Sequence, residues 1–166
     1  MGIYFNPTNE SFTQAKNSMI YVDKTELLEQ LNLRLSTENK CIAVSHARRF
    51  GKSHAAGMID AYYSLGCDSS NLFDNTKIAA NADYKKYMNK YNVIHLDISS
   101  FWDFHKKDLI ESIKERVYDD FKEIYAESLN YNKDIHVLLI EIYHKTTIPF
   151  VIIIDEWDCV IRNSDD

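Results

Sequence analysis

The sequence is poor in the residues that punctuate loops, with four glycines and two prolines in 166 residues. That scarcity argues against a turn-rich all-β sandwich. Cysteine is scarce too. Cys41, Cys67 and Cys159 are odd in number, far apart, and form no Cys-x-x-Cys or Cys/His pairing. No disulfide framework or zinc site follows, and the thiols read as small buried hydrophobes in a reducing compartment. The six scattered histidines give no reason to expect a structural metal. The longest apolar run, residues 148–154, is far shorter than the ~20 residues that span a bilayer. The N-terminus has no basic and apolar leader, and Asn6 stands where a myristoylation signal has Ser or Thr. The expectation is a cytoplasmic protein without a membrane partner.

Basic charge is not in excess either. Lys and Arg number 19 against 25 Asp and Glu, a formal charge of −6. This excludes a protein that coats nucleic acid over its whole surface. The charge is uneven, however. No acid lies between Glu38 and Asp60, whereas Lys40, Arg48, Arg49 and Lys52 all do. A local cationic spot in an acidic chain points to a small anionic ligand. What the chain does have is apolar mass: 45% hydrophobic and 13% aromatic residues, enough for the core of one domain.

Periodicity gives the organisation. Asp23 with Glu26 reads as a capping box, followed by Leu27, Leu28, Leu31 and Leu35 at helical spacing. Residues 41–44 (Cys-Ile-Ala-Val) read as a buried strand, with a helix starting near Gly51 and ending at a Gly66 cap. Residues 67–91 look irregular apart from a short helix near 84–89. Residues 93–98 read as a second strand. Leu109, Ile113, Val117, Phe121 and Ile124 trace a long amphipathic helix, and residues 135–144 another. Phe150 to Ile154 reads as a third strand, apolar on both faces. Apolar strands alternating with helices predict an α/β fold with a parallel sheet covered on both sides.

Two places carry chemistry. Gly51-Lys52-Ser53 falls between a predicted strand and a predicted helix, where a phosphate-binding loop sits. Backbone N–H groups and the helix N-terminus favour an anion there. Lys52 would reach the β and γ phosphates, and the Ser53 hydroxyl would ligate Mg²⁺. The usual pattern has a glycine five residues before Gly51, where this chain has His46. The second place is Val151-Ile152-Ile153-Ile154-Asp155-Glu156, four apolar residues of a strand ending in two acids like a Walker B segment. Asp155 would supply an oxygen ligand to Mg²⁺ and Glu156 would polarise the attacking water. Asp97 reads as a cap or as a group facing this site, Asp158 as a carboxylate behind the metal or a solvated acid, and Trp157 as core. No RNP-like or helix-turn-helix pattern points to nucleic acid.

Tyr21-Val22-Asp23-Lys24-Thr25, Arg48-Arg49-Phe50-Gly51-Lys52-Ser53 and Ile154-Asp155-Glu156-Trp157-Asp158 occur in that order. Together they resemble the predicted AAA-ATPase-like family of bacterial and archaeal proteins. The resemblance implies a three-layer P-loop NTPase core binding ATP and Mg²⁺. It implies that Lys52 and Glu156 are catalytic and that Ser53 and Asp155 hold the metal. The nucleotide would lie along Gly51, Lys52 and Ser53, with Arg48, Arg49, Phe50 and His54 around it. His46-Ala47 replaces an Arg-Pro usual in the family, removing one cation and a rigid turn. Relatives often carry a nuclease-like PD-(D/E)xK domain, but this chain has no such constellation.

The acidic pair suggests the P-loop class in which a further strand lies between the Walker A and Walker B strands. The chain reads as the first part of a longer ATPase, incomplete in its C-terminal strands. The parallel strands at 41–44 and 151–154 would then stand about 9–10 Å apart, with residues 93–98 flanking the second. The open sheet would invite a protein partner or self-association. Two readings follow: an Mg-ATP hydrolase in the full-length parent, or a nucleotide- or partner-binding module without turnover.

Overall fold

The computed structural model describes residues 2–45, 50–104, 108–126 and 129–163. In chain order they form α1 (Glu10–Lys16), α2 (Glu26–Asn32), α3 (Lys52–Tyr63) and α4 (Ser70–Phe73). Two 3-10 turns follow, Lys77–Ala80 and Tyr84–Lys86. Then come β1 (Asn92–Asp97), α5 (Ile98–Phe104), α6 (Leu109–Tyr125), α7 (Ile135–Thr146), β2 (Phe150–Asp155) and α8 (Cys159–Asn163). The class is mixed α/β. The chain divides into two compact units: Thr8–Lys90, and Met1–Pro7 with Tyr91–Asp166.

The Thr8–Lys90 unit is helical. Its core joins Phe12 of α1, Leu28 of α2, Met58, Tyr62 and Tyr63 of α3, Phe73 and Ile78, all nearly or fully buried. Phe12 stacks on Phe73 at 4.9 Å between ring centroids, and Tyr62 meets the same ring edge-on at 5.3 Å. The phenols keep partners despite burial: Asn32 donates to the Tyr62 hydroxyl at 3.1 Å and accepts from that of Tyr63 at 2.6 Å. Gly57 allows α1 and α3 to meet closely, since a Cβ there would lie 2.6 Å from Ser11 Oγ.

The expected capping box at the start of α2 is replaced by a tertiary tie. Asp23 lies two residues ahead of the actual N-cap, Thr25. Its carboxylate accepts from the Thr25 N–H at 2.8 Å, the Thr25 hydroxyl at 2.7 Å and the Lys77 N–H at 2.8 Å. The fully buried Thr25 hydroxyl also accepts from the Ile78 N–H at 3.1 Å. Glu26 pairs with Lys77 at 2.9 Å instead of closing a box. Burial pushes the Asp23 carboxyl up, but the bonds from Thr25 and Lys77 and the Lys77 charge outweigh it, so it titrates below its ordinary value. A depressed folded value adds stability that is present above the unfolded value near ~3.9 and is lost as pH falls through the folded value. Asp23→Asn should therefore lower stability at neutral pH and flatten the loss below about pH 4. Urea melts of both proteins across that range check it.

In the other unit, β1 and β2 pair in parallel, with Asn92 opposite Phe150 and Asp97 opposite Asp155. This is the pairing expected of the second and third predicted strands. The second edge of β1 is covered by the N-terminal segment. Asn6 N–H donates to the Val93 carbonyl at 2.7 Å and His95 N–H to that of Tyr4 at 2.9 Å. Asp120 of α6 accepts from the N–H groups of Tyr4 at 2.6 Å and Phe5 at 2.8 Å, anchoring the segment to the helix. Phe5, Ile94, Val117, Tyr118, Phe121, Leu129, Leu138 and Ile142 form the core. The predicted 4-4-4-3 stepping of α6 places Val117 and Phe121 there.

Several expectations do not hold. Residues 41–44 form no strand, and Ile42 and Val44 are 42% and 56% exposed. A four-residue apolar run becomes a strand only with a ladder partner, and the described residues of its unit contain no strand. The two-strand gap drawn from this segment loses its first member. Among the described residues Ile152 and Ile154 of β2 are 52% and 54% exposed, where a sheet covered on both sides would bury them. Helix α2 ends at Asn32 rather than reaching Leu35, and α3 is capped by Ser64, with Gly66 left-handed two residues later. Helix α1 goes unread because Phe12 is its only buried residue. Cys41 is exposed and Cys67 partly so; Cys159 alone matches the buried expectation. Among the described residues no helix is long and apolar enough to cross a membrane.

Candidate functional site

The first group of predicted site residues gathers at the start of α3. Gly51 is the N-cap, at φ 80° and ψ 34°, a left-handed conformation that side-chain-bearing residues adopt with strain. Ala55 N–H donates to the Gly51 carbonyl at 3.0 Å, closing the first helical bond. By helix geometry the preceding first-turn N–H groups point out of the helix end, and among the described residues no side chain caps it. That end carries partial positive charge and suits an anion. Lys52 is half-buried, whereas Phe50, Ser53 and His54 are exposed. His46, Arg48 and Arg49 lie outside the described residues.

A contact unread in the sequence adjoins this turn. Lys24 Nζ donates to the Phe50 carbonyl at 2.5 Å, across 26 residues of chain. The same ammonium is 3.1 Å from where a Gly51 Cβ would stand. Two of the sequence motifs thus meet within one unit. In the same motif, burial and then the Asp23 charge push the Tyr21 phenol up to about 12, and its buried hydroxyl has no hydrogen-bond partner among the described residues.

The second group lies where β2 ends. Asp155 is half-buried and accepts from the Glu156 N–H at 2.9 Å. Glu156 is left-handed, at φ 49°, which for a non-glycine residue stores on the order of 1 kcal/mol or more. Its carboxylate pairs with Arg162 of α8 at 2.9 Å, and Arg162 Nε also holds Asp158 at 2.8 Å. Asp158 is therefore a salt-bridged acid. Asp97 faces Asp155 in register, but its carboxylate accepts from the Ser99 N–H at 3.0 Å and hydroxyl at 2.7 Å, as a cap does. Trp157 is 60% exposed, contrary to the core position expected of it. Among the described residues no three His, Cys, Asp or Glu side chains cluster as a ready metal site.

The two groups belong to separate units. One presents backbone amides and ammonium groups, the other carboxylate oxygens. A family model described as a predicted AAA-ATPase matches residues 9–164. The chain belongs to this AAA-ATPase-like family. The match takes in the 21–25 motif, the loop before α3 and the acids after β2. No curated protein and no solved structure matches the chain.

For this AAA-ATPase-like chain, sequence reasoning left out Lys24 as a neighbour of the loop and Arg162 as the partner of Glu156. Lys24 had a signal, since it sits inside a motif. Arg162 had little, because six residues from Glu156 is no standard helical spacing.

Proposed function

We propose that the chain is a P-loop ATPase domain that binds Mg-ATP at residues 46–53. The observation that carries this reading is the left-handed Gly51 immediately ahead of Lys52 and Ser53 at the start of a twelve-residue helix. A glycine there lets the backbone approach a phosphate, and the helix end supplies N–H groups to it. Family membership supports the same ligand. In this reading Lys52 reaches the β and γ phosphates. Arg48, Arg49, Phe50 and His54 border the nucleotide. The Ser53 hydroxyl in one unit and the Asp155 carboxylate in the other are each oxygen ligands of the kind Mg²⁺ takes, and Mg²⁺ would supply charge neutralisation at the phosphates when bound. Glu156 polarises the attacking water. The setting we propose is cytoplasmic, with a protein partner or a second copy on the open sheet.

A second reading, nucleotide binding without turnover, is favoured by one observation. Glu156 is salt-bridged to Arg162 at 2.9 Å, so its carboxylate is already engaged by a guanidinium of its own turn. Calorimetric titration with Mg-ATP tests the shared claim: saturable binding, lost when AMP replaces ATP, is expected. Phosphate release in the same samples separates the two readings.

A further inference from the structure

We propose that Lys24 is a positioning residue of the phosphate loop. It holds the Phe50 carbonyl so that the Gly51 N–H is turned toward the bound phosphates. The proposal rests on the nucleotide-binding reading above and assigns a role that the reading leaves open.

The argument begins with how firmly Lys24 is placed. Its neighbours on both sides are fixed: Asp23 by three hydrogen bonds from Thr25 and Lys77, and Thr25 by full burial and its bond from Ile78. Lys24, between them, is exposed, and its ammonium reaches the Phe50 carbonyl at 2.5 Å. A rigid anchor therefore grips the loop one residue before its glycine.

The peptide plane carries the consequence. In a planar trans peptide the C=O and the following N–H point in opposite directions. With the Phe50 oxygen held by Lys24, the Gly51 N–H must face away from the ammonium. A flip of that peptide would aim an N–H at a cation and forfeit a charge-assisted bond. The contact thus selects one of two orientations for a donor beside Lys52. It also gives Gly51 a second reason to be glycine, since a Cβ would lie 3.1 Å from the Lys24 ammonium.

The test is a calorimetric titration of the whole chain with Mg-ATP and with Mg-ADP, alongside melts without nucleotide. Lys24→Met should weaken both nucleotides by the same factor, roughly tenfold to a hundredfold for one oriented charge-assisted contact. The nucleotide-free melting temperature should hold, because the side chain is exposed. Lys24→Arg, which can still donate to the carbonyl, should restore most of the affinity. Unchanged affinity in Lys24→Met, with wild type binding normally, overturns the proposal. A loss confined to ATP overturns it in favour of direct contact with the γ phosphate. A loss that tracks a lower melting temperature and resists arginine rescue makes Lys24 a structural clamp only, and also overturns it. Absence of binding by wild type overturns the nucleotide reading itself, an outcome distinct from the other three.

Discussion

Lys52→Ala is expected to abolish measurable Mg-ATP binding while leaving the fold intact. Lys52 is the first residue of α3, directly after the left-handed Gly51. A lysine ammonium at a helix end adds a full charge to the partial charge of the helix dipole. Each charge-assisted hydrogen bond to a phosphate oxygen contributes about 1.5–3 kcal/mol, and bonds to two phosphates would sum to a loss of a hundredfold or more. Alanine is the strongest helix former, so α3 itself should not suffer. Titration calorimetry with melts as a fold control checks this. Equal binding by the two proteins would remove Lys52 from the site.

If the hydrolysing reading holds, Glu156→Gln should preserve nucleotide binding and stop hydrolysis. Glutamine keeps the shape and the hydrogen-bond acceptor of glutamate but cannot take a proton from water. General-base catalysis contributes about 10²–10⁴-fold, and the rate should fall by that factor. The substitution also dissolves the ion pair with Arg162, which is about two-thirds buried on both sides. Pairs still reached by solvent are worth ~0–1 kcal/mol, so stability should change little. Undiminished phosphate release would show that Glu156 is not the base, and would leave its left-handed backbone as a feature of the turn into α8 alone.

The elements that were legible in the sequence are those whose burial is periodic or continuous. β1 and β2 are short apolar runs that found each other, and α6 shows its inner face in Val117 and Phe121. Residues 41–44 had the same apolar composition as a strand, yet composition does not supply a ladder partner. At Asp23 the local rule favoured a capping box, and a bond from Lys77, 54 residues away, prevailed. That is tertiary structure overriding a local signal, which no window of sequence contains.

The candidate site divides in the same way. The helix start at Gly51 was legible because a glycine there separates an apolar run from a helical period, and the structure makes it the left-handed N-cap of α3. The link from Lys24 to the Phe50 carbonyl was not, since a backbone acceptor leaves no mark on the sequence. Arg162 lay hidden for a related reason: its pairing depends on the turn that Glu156 makes at positive φ.

Backbone amide NMR during an Mg-ATP titration tests the central claim most directly. The account predicts that the Gly51, Lys52 and Ser53 amides shift saturably, and that the Lys52→Ala protein shows no such shifts. Saturable binding of Mg-ATP that leaves those three amides unmoved would contradict it.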